Sequence, residues 1–272
     1  MIENDPPLLP GDSDDENHIE TTDIKMAEAA AAVATTGTAL GAIAEEKEPI
    51  RSFVGAAEAV LRQPRRVFFQ IGQSTGARLI LYLLLLSTLG LLGYGFVVGT
   101  FSGGDQLWAS PIKVAGGLLV AGLICLPSLY IFSCLAGSRA SFKQVAGLVA
   151  GLLAIMTLLL IGFAPVAWVF SQSTESIPMM GFLHLTFWTV AMYFAVAFFR
   201  AGFNAVVAEK DNGVFQVWMT VFVIVVLQMS TALRPIIGQA DTFLPAEKRF
   251  FLEHWIGNMA GQRERQGRRY GD

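Results

Sequence analysis

Charged side chains are missing from five long stretches of this 272-residue chain, in which only 15% of all residues are charged. The first stretch, residues 79–100, holds no Asp, Glu, Lys or Arg. A helix rises about 1.5 Å per residue and the hydrocarbon core of a bilayer is about 30 Å thick, so about 20 apolar residues cross it once. A water-soluble domain would spread its charges along its helices, and that class is excluded. The chain is predicted to be an all-α, polytopic transmembrane helical bundle.

The lack of ionisable residues inside these stretches also restricts the chemistry. Intramembrane Asp, Glu, Lys and Arg usually mark ion pathways and catalytic sites. Proton or sodium coupling, an aspartate-dyad protease and a charged ion filter are therefore not predicted. His184 is the one span residue that would normally titrate near neutral pH, and it lies near the outer mouth of the fourth stretch. A hydrogen-bonding role at the interface is favoured over metal binding or catalysis, and His184 is kept as the functional candidate.

Cysteines and catalytic motifs are equally scarce. Cys125 and Cys134 fall on one predicted helix about 13 Å apart, beyond disulfide reach. Gly72-Gln-Ser-Thr-Gly76 has the spacing of a nucleophile elbow, but it precedes a membrane helix and is interpreted as a polar turn. Glu45-Glu46 and Arg51 are near the paired-glutamate spacing of an intramembrane protease family, with the arginine one place too late. We expect no enzymatic activity, no cofactor, no metal and no nucleic-acid partner.

Four regions follow from the pattern of charge and hydropathy. Residues 1–49 are predicted to form a cytoplasmic arm, with an acidic, disordered part up to residue 23 and an alanine-rich run, residues 26–44, read as a loose helix or linker. A sixth span in that run is the alternative. Residues 50–77 are predicted to form an amphipathic interfacial segment in which Phe68 and Phe69 settle at the headgroups. Residues 78–233 are the transmembrane domain, and residues 234–272 an amphipathic and basic tail.

Five spans are predicted within the transmembrane domain, at about residues 79–100, 114–135, 145–170, 182–199 and 214–233. Lys and Arg concentrate on one side of them, which should be cytoplasmic. Lys113 is assigned to the first outer loop. The protein is therefore predicted to be a multi-pass protein of the bacterial inner membrane, with its N-terminus in the cytoplasm and its C-terminus outside. The cationic residues that define the cytoplasmic side are Arg62, Arg65, Arg66, Arg78, Arg139, Lys143, Arg200 and Lys210.

Glycine and proline mark structural positions in the spans. Two small-residue pairs, Gly95 with Gly99 and Gly147 with Gly151, place glycines one turn apart on a helix face, where helices can approach closely. Packing within the chain is the favoured interpretation, and homo-oligomerisation is the alternative. Pro127 and Pro165 are predicted to kink spans two and three and to create a polar notch near Ser128, Ser133 and Thr157. Arg234 and Pro235 are predicted to end span five.

One stretch resembles a known family. Val60-Leu-Arg-Gln-Pro-Arg-Arg-Val-Phe-Phe69 places a surface helix, a proline and a phenylalanine pair directly before closely spaced spans. This arrangement resembles the Yip-type domain, which implies five spans and a cytoplasmic N-terminus. Leu126-Pro-Ser-Leu-Tyr130, Gly162-Phe-Ala-Pro-Val-Ala-Trp168 and Leu233-Arg-Pro-Ile-Ile-Gly238 are similar to segments of a bacterial group in which some members carry an actin-binding label. The resemblance implies no catalytic residues.

The sequence thus predicts a non-enzymatic scaffold or accessory subunit of a membrane complex. Its expected partners are the lipid bilayer and proteins on the cytoplasmic side, with a second copy of the chain as a further option. The alternative is a transporter or channel component that uses a polar cavity near spans two and three.

Overall fold

The computed structural model describes residues 39–135, 138–206 and 212–232. Contacts divide the chain into a unit of residues 1–42 and a unit of residues 43–272, and the few described residues of the first unit form a turn. The acidic arm, most of the alanine-rich run, Arg234, Pro235 and the C-terminal tail lie outside the described residues.

The described part of the second unit is helical. Three short helices, α1 (Ala44–Lys47), α2 (Phe53–Arg62) and α3 (Pro64–Gly72), precede five longer ones. Four of the longer helices are long and apolar enough to cross a membrane: α4 (Gly76–Ser102), α5 (Gln106–Leu135), α6 (Phe142–Ser173) and α7 (Ile177–Val206). The predicted all-α fold is therefore confirmed for the described residues, and four of the five predicted spans coincide with helices suited to cross a membrane.

Helix α8 (Asn212–Ala232) coincides with the predicted fifth span. Its apolar stretch, Gln216–Met229, is shorter than the about 20 residues that cross a bilayer. The crossing of α8 stays a prediction.

Helix α6 forms the centre of the bundle. In its most apolar part 72% of the residues are buried, whereas only 28–33% are buried in the corresponding parts of α4, α5 and α7, as expected for helices with a lipid-facing side. Helices α4, α5 and α7 pack around α6, and α8 packs mainly against α5. The chain reverses between α4 and α5 through Gly103 and Gly104, whose φ angles of 67° and 54° favour glycine.

Helices α1 to α3, with the links that join them, form a cap (residues 43–75) at one end of the bundle. Ser52 accepts a hydrogen bond from the Gly55 amide and begins α2, and Pro64 stands in the first turn of α3, where its missing N–H costs nothing. Gln70 then ties the cap together: its side-chain oxygen accepts from the Ile50 amide at 2.8 Å, and its amide donates to the Glu48 carbonyl.

Ion pairs reinforce the cap. The buried Glu46 carboxylate lies 2.6 Å from the Arg65 Nε, and the Arg66 side chain contacts the Glu48 carboxylate at 3.5 Å. Lys143, in the first turn of α6, donates to the Gln73 carbonyl at 2.7 Å and so attaches the end of α3 to the bundle. Glu45, Glu46 and Arg51 nearly match the motif of the intramembrane protease family. In the structure they lie in or beside the cap helices, where Glu46 pairs with Arg65.

The structure changes two details of the predicted segments. Helix α5 begins at Gln106, eight residues before the predicted span, because Pro111 is accommodated within it. Lys113 is therefore part of a helix and not of a loop, and that assignment was wrong. Phe68 also departs from its predicted place at the headgroups: it is buried in the protein, 4.9 Å from the Phe198 ring of α7.

Candidate functional site

The most specific polar contact inside the bundle joins α4 to α7. The Tyr94 hydroxyl and the His184 Nδ1 are 2.7 Å apart, and both side chains are buried. A hydroxyl and an imidazole complement each other in this way because each can donate or accept, depending on the tautomer of the ring. His184 is thus the hydrogen-bonding residue that the sequence predicts, but it is only 6% exposed and faces the protein interior instead of the interface.

Aromatic rings surround this pair. The His184 ring meets the Tyr94 ring edge-on at 5.7 Å, and the Phe187 ring lies 6.5 Å away. Phe187 in turn stacks on Phe163 of α6 at 4.7 Å. The aromatic shell fixes the orientation of the imidazole and excludes lipid from it.

Two buried side-chain polar atoms have no hydrogen-bond partner among the described residues. They are the His184 Nε2 and the Thr157 Oγ1. Thr157 lies on α6, where its methyl group is next to Gly90 of α4, one helical turn before Tyr94. An unsatisfied buried polar group costs roughly 1–3 kcal/mol, so at each of these atoms the packing of the described helices leaves hydrogen-bonding capacity unused.

The predicted polar notch does not form as one site. Ser128 and Ser133 donate to the Cys125 and Leu129 carbonyls of their own helix at 2.8 and 2.7 Å. Thr157 lies 15 residues after Phe142, whose ring contacts Tyr130 of α5, and is therefore about 22 Å deeper along α6. The three hydroxyls are not brought together.

Pro127 lies close to a contact between α5 and α8. The Cys125 carbonyl, two residues earlier, also accepts a hydrogen bond from the Trp218 indole of α8 at 3.1 Å. The Trp218 ring stacks on Phe199 and Phe222 at 5.0 and 5.3 Å, which attaches α8 to α5 and α7. Pro165 lies inside α6.

The glycine pairs pack within the chain. A Cβ at Gly95 would lie 2.5 Å from the Pro111 backbone, and one at Gly99 would lie 2.6 Å from the Gln106 carbonyl, so these residues let α4 and α5 touch backbone to backbone. Gly147 receives Ile71 of the cap, and Gly151 receives Phe198. The favoured interpretation, packing within the chain, agrees with these contacts, and none of these faces is open to a second copy.

A buried polar stripe on α5 was missed by the sequence reasoning. Gln106, Ser110 and Lys113 follow one another at helical spacing and are all buried, with Lys113 only 1% exposed. The Ser110 hydroxyl donates to the Gln106 side-chain oxygen at 3.3 Å. Their spacing of four and three residues could have indicated one face of a helix. Pro111, which lies between Ser110 and Lys113, favoured the interpretation of this segment as a loop.

Helix α2 presents three different sides, because successive residues are rotated by about 100°. One side, with Ala56, Ala59 and Val60, is buried against the bundle. A second, adjacent side carries Leu61 and Val54, which are 53% and 74% exposed, next to Phe53 and Ala57. The third carries the exposed charged residues Glu58 and Arg62, and Arg51, which precedes the helix, is exposed as well.

Among the described residues, no group of three or more His, Cys, Asp and Glu side chains is placed to hold a metal ion. Comparison of the chain with protein-family models, with curated proteins and with solved structures finds no match.

Proposed function

We propose that this chain is a non-enzymatic scaffold or accessory subunit of a membrane complex, with the cap on the cytoplasmic side. The observation that carries the proposal is the charged side of α2. Glu58 and Arg62 lie on an exposed side of α2, and Arg51, just before the helix, is also exposed. A folded cap that is braced by the ion pair of the buried Glu46 with Arg65 offers a fixed charged surface to a protein partner.

The exposed apolar side of α2 supports a position of this helix along the membrane surface, with its charged side directed to water. Leu61, Val54, Phe53 and Ala57 are suited to the boundary between headgroups and acyl chains, where amphipathic helices bury their apolar faces. The Tyr82 hydroxyl of α4 donates to the Arg51 carbonyl at 3.4 Å, which places the start of α2 beside a helix that crosses the membrane. With lipid on one side and the bundle on another, the charged side is left to water and to a partner.

The way in which the bundle uses its polar groups also favours a structural role. The Tyr94–His184 pair connects α4 to α7, and the Trp218 indole connects α8 to α5. Serine and threonine hydroxyls of the spans donate to carbonyls of their own helices, as Ser87, Thr88 and Thr189 do. These contacts assemble helices.

The proposal is tested by site-specific photocrosslinking in intact cells. A photoreactive amino acid at Glu58 on the cap should capture a defined protein, whereas the same residue at Ser173, at the opposite end of the bundle, should not. Reversing the charges with Arg51→Glu and Arg62→Glu should abolish the crosslink from Glu58. The matched variant is Arg78→Glu, an exposed cation on α4 that is not part of the charged side of α2.

Failure to capture any protein from Glu58, or capture that survives the charge reversal, would contradict a partner on the charged side of α2. Equal capture from Ser173 would show that the partner meets the other end of the bundle.

The alternative, a transporter or channel component, is favoured by one observation. The His184 Nε2 and Thr157 Oγ1 leave hydrogen-bonding capacity between α4, α6 and α7. Purified protein in liposomes should then conduct a small polar solute, and His184→Phe should reduce the flux. A tight vesicle with the wild-type protein would count against this alternative.

The proposal also includes the family, the Yip-type membrane proteins, and the location, a bacterial inner membrane. A Yip-type membrane protein would have a cytoplasmic cap and an odd number of crossings, which requires α8 to cross. We therefore propose five spans in a bacterial inner membrane, with the C-terminus outside.

A further inference from the structure

The last turns of α7 carry phenylalanine rings that contact two different neighbours. Phe198 lies 4.9 Å from the Phe68 ring of the cap, and the next residue, Phe199, stacks on the Trp218 ring of α8 at 5.0 Å. Successive residues of a helix are about 100° apart, so the two rings leave α7 on different sides. Phe203, one turn further on, lies 6.0 Å from Phe199. This segment, residues 198–203, is called the α7 end, and it contacts both the cap and α8.

The contact between the cap and the α7 end is close. A Cβ at Gly202 would lie 2.6 Å from the Phe68 ring, so this ring rests directly on the backbone of α7. A Cβ at Gly151 would likewise lie 2.6 Å from the Phe198 ring, which is therefore held against the backbone of α6. Close-packed side chains transmit a displacement, because little free volume is present to absorb it. A shift of Phe68 therefore displaces the α7 end.

Helix α8 depends on the α7 end for part of its support. The buried Trp218 donates its indole N–H to the Cys125 carbonyl of α5 at 3.1 Å and stacks on Phe199 of α7 on another side. The Trp218 ring is thus held between α5 and the α7 end. A displacement of Phe199 changes the surface on which α8 rests.

Helix α8 is also suited to respond to such a displacement. Its apolar stretch, Gln216–Met229, is short, and one side of the helix is exposed, with Val217 58% and Ile224 52% accessible. Elements with few buried apolar contacts open locally at low free energy. A small change in the support of α8 should therefore change how often this helix leaves the bundle.

We propose that the α7 end couples the cap to α8, so that displacing Phe68 weakens the attachment of α8 to the bundle, and the reverse. The cap packs against α4, α6 and α7, whereas α8 packs against α5 and α7, so within the described residues α7 is the long helix that both contact closely. Coupling between two sites is reciprocal, because it is a difference in free energy.

This inference deepens the scaffold function proposed above, on which it rests. A protein bound to the charged side of α2 would then act on the packing of α8 inside the membrane, through the cap and the α7 end. The coupling itself can be measured without that protein.

Thiol labelling of the full chain in mild detergent tests the coupling, after Cys125→Ala and Cys134→Ala remove the native thiols. Val226→Cys reports the attachment of α8, because this position is buried and its thiol reacts when α8 leaves its neighbours. Ala154→Cys, in the buried part of α6, reports opening of the whole bundle.

Phe68→Leu should raise the labelling rate at Val226→Cys about 2- to 30-fold, the range expected for mutations in a coupled, packed network. The labelling rate at Ala154→Cys should stay the same. The matched control is Ile71→Val, which shortens another buried side chain of α3 that packs on Gly147 of α6 and not on the α7 end. It should leave the rate at Val226→Cys unchanged.

The reverse direction is tested with a reporter in the cap. Ala56→Cys lies on the side of α2 that is buried against the bundle. Trp218→Phe, which removes the indole N–H and part of the ring, should raise the labelling rate at Ala56→Cys. Val217→Ala changes the exposed neighbour of Trp218 and should leave that rate unchanged.

An unchanged labelling rate at Val226→Cys in the Phe68→Leu variant would overturn the inference, as would an equal rise in the Ile71→Val variant. Faster labelling at Ala154→Cys would show that the bundle opens as a whole, which also overturns it. So would an unchanged rate at Ala56→Cys in the Trp218→Phe variant. Photocrosslinking from Glu58 does not depend on α8, so capture of a protein without coupling would leave the scaffold function standing.

Discussion

At the scale of single residues, the interior of the bundle depends on a few polar contacts that have no substitute. The Tyr94–His184 hydrogen bond is the clearest, because both groups are buried where no water is at hand. Removing one partner leaves the other unsatisfied, which costs more than the bond itself contributes. The pair therefore behaves as a unit.

We predict that Tyr94→Phe lowers the free energy of unfolding by about 1–3 kcal/mol, because it leaves the His184 Nδ1 buried without a partner. Unfolding in mixed micelles measures the change. Adding His184→Phe to Tyr94→Phe should recover part of the loss, since both polar groups are then gone. Tyr82→Phe, which removes a long hydrogen bond at an exposed site, should cost much less. Equal losses for Tyr82→Phe and Tyr94→Phe would disprove the special role of the pair.

Glycine contacts are the second feature at this scale. We predict that Gly95→Ala destabilises the bundle by about 1–3 kcal/mol, because the new Cβ would lie 2.5 Å from the Pro111 backbone and must push α4 away from α5. Gly162→Ala is the matched control, since no atom lies within 4 Å of its Cβ position. It should be neutral or stabilising by up to about 1 kcal/mol. Unfolding midpoints in the same detergent decide between these outcomes.

At the scale of elements, α2 shows how one short helix can serve two environments. The sequence predicts that Phe53, Val54, Val60 and Leu61 all lie in the interface. The structure separates them: Val60 is 1% exposed and packs in the cap, whereas Val54 and Leu61 remain exposed. The reason is that the apolar residues of α2 cover more than half of the helix circumference, which is wider than the face that the bundle can bury.

We predict that Val60→Ser destabilises the cap by about 1.5–3 kcal/mol, the value of a buried aliphatic side chain, while Val54→Ser with Leu61→Ser leaves it folded. The double variant should instead weaken the contact of α2 with lipid. Hydrogen exchange of the α2 amides in the full protein reports the first effect. Quenching by lipid-attached spin labels of a fluorophore at Arg62 reports the second. Loss of exchange protection in the double variant would show that Val54 and Leu61 serve the fold.

At the scale of the whole molecule, the direction of the chain through the membrane decides which surfaces partners can reach. The cap and the α5–α6 connection lie at one end of the bundle, and the α6–α7 connection lies at the other. Cations concentrate at the cap end, and for this reason the proposed topology places that end in the cytoplasm.

We predict that single cysteines at Ser173 and Gln266 react with a membrane-impermeant thiol reagent in intact cells, while one at Ser74 does not, in a chain with Cys125→Ala and Cys134→Ala. Ser74 lies in the cap, Ser173 ends α6, and Gln266 follows α8. Labelling of Ser173 alone would mean that α8 does not cross. Labelling of Ser74 would invert the whole topology. Permeabilised cells, in which all three positions should react, provide the control.

Much of the fold could be read from the sequence because the length of an apolar run is a local property. The uncharged stretches predict α4 to α7 within a few residues at most ends, and Ser141, which accepts from the Gln144 amide in a capping box, explains where α6 begins. Two larger differences remain: α5 begins eight residues early, because Pro111 and Lys113 are unusual inside a membrane helix, and α7 extends five and seven residues beyond the predicted span 182–199.

The sequence by itself therefore determined that this is a helical membrane protein and roughly where its spans lie. Only the tertiary structure decided what each side chain faces. Residues on the lipid side of a membrane helix are as apolar as those on the protein side, so hydropathy does not separate the two faces. That is why the hydropathy of α7 does not separate His184 from Tyr193, nine residues further on, yet His184 is buried against Tyr94 and Tyr193 is exposed.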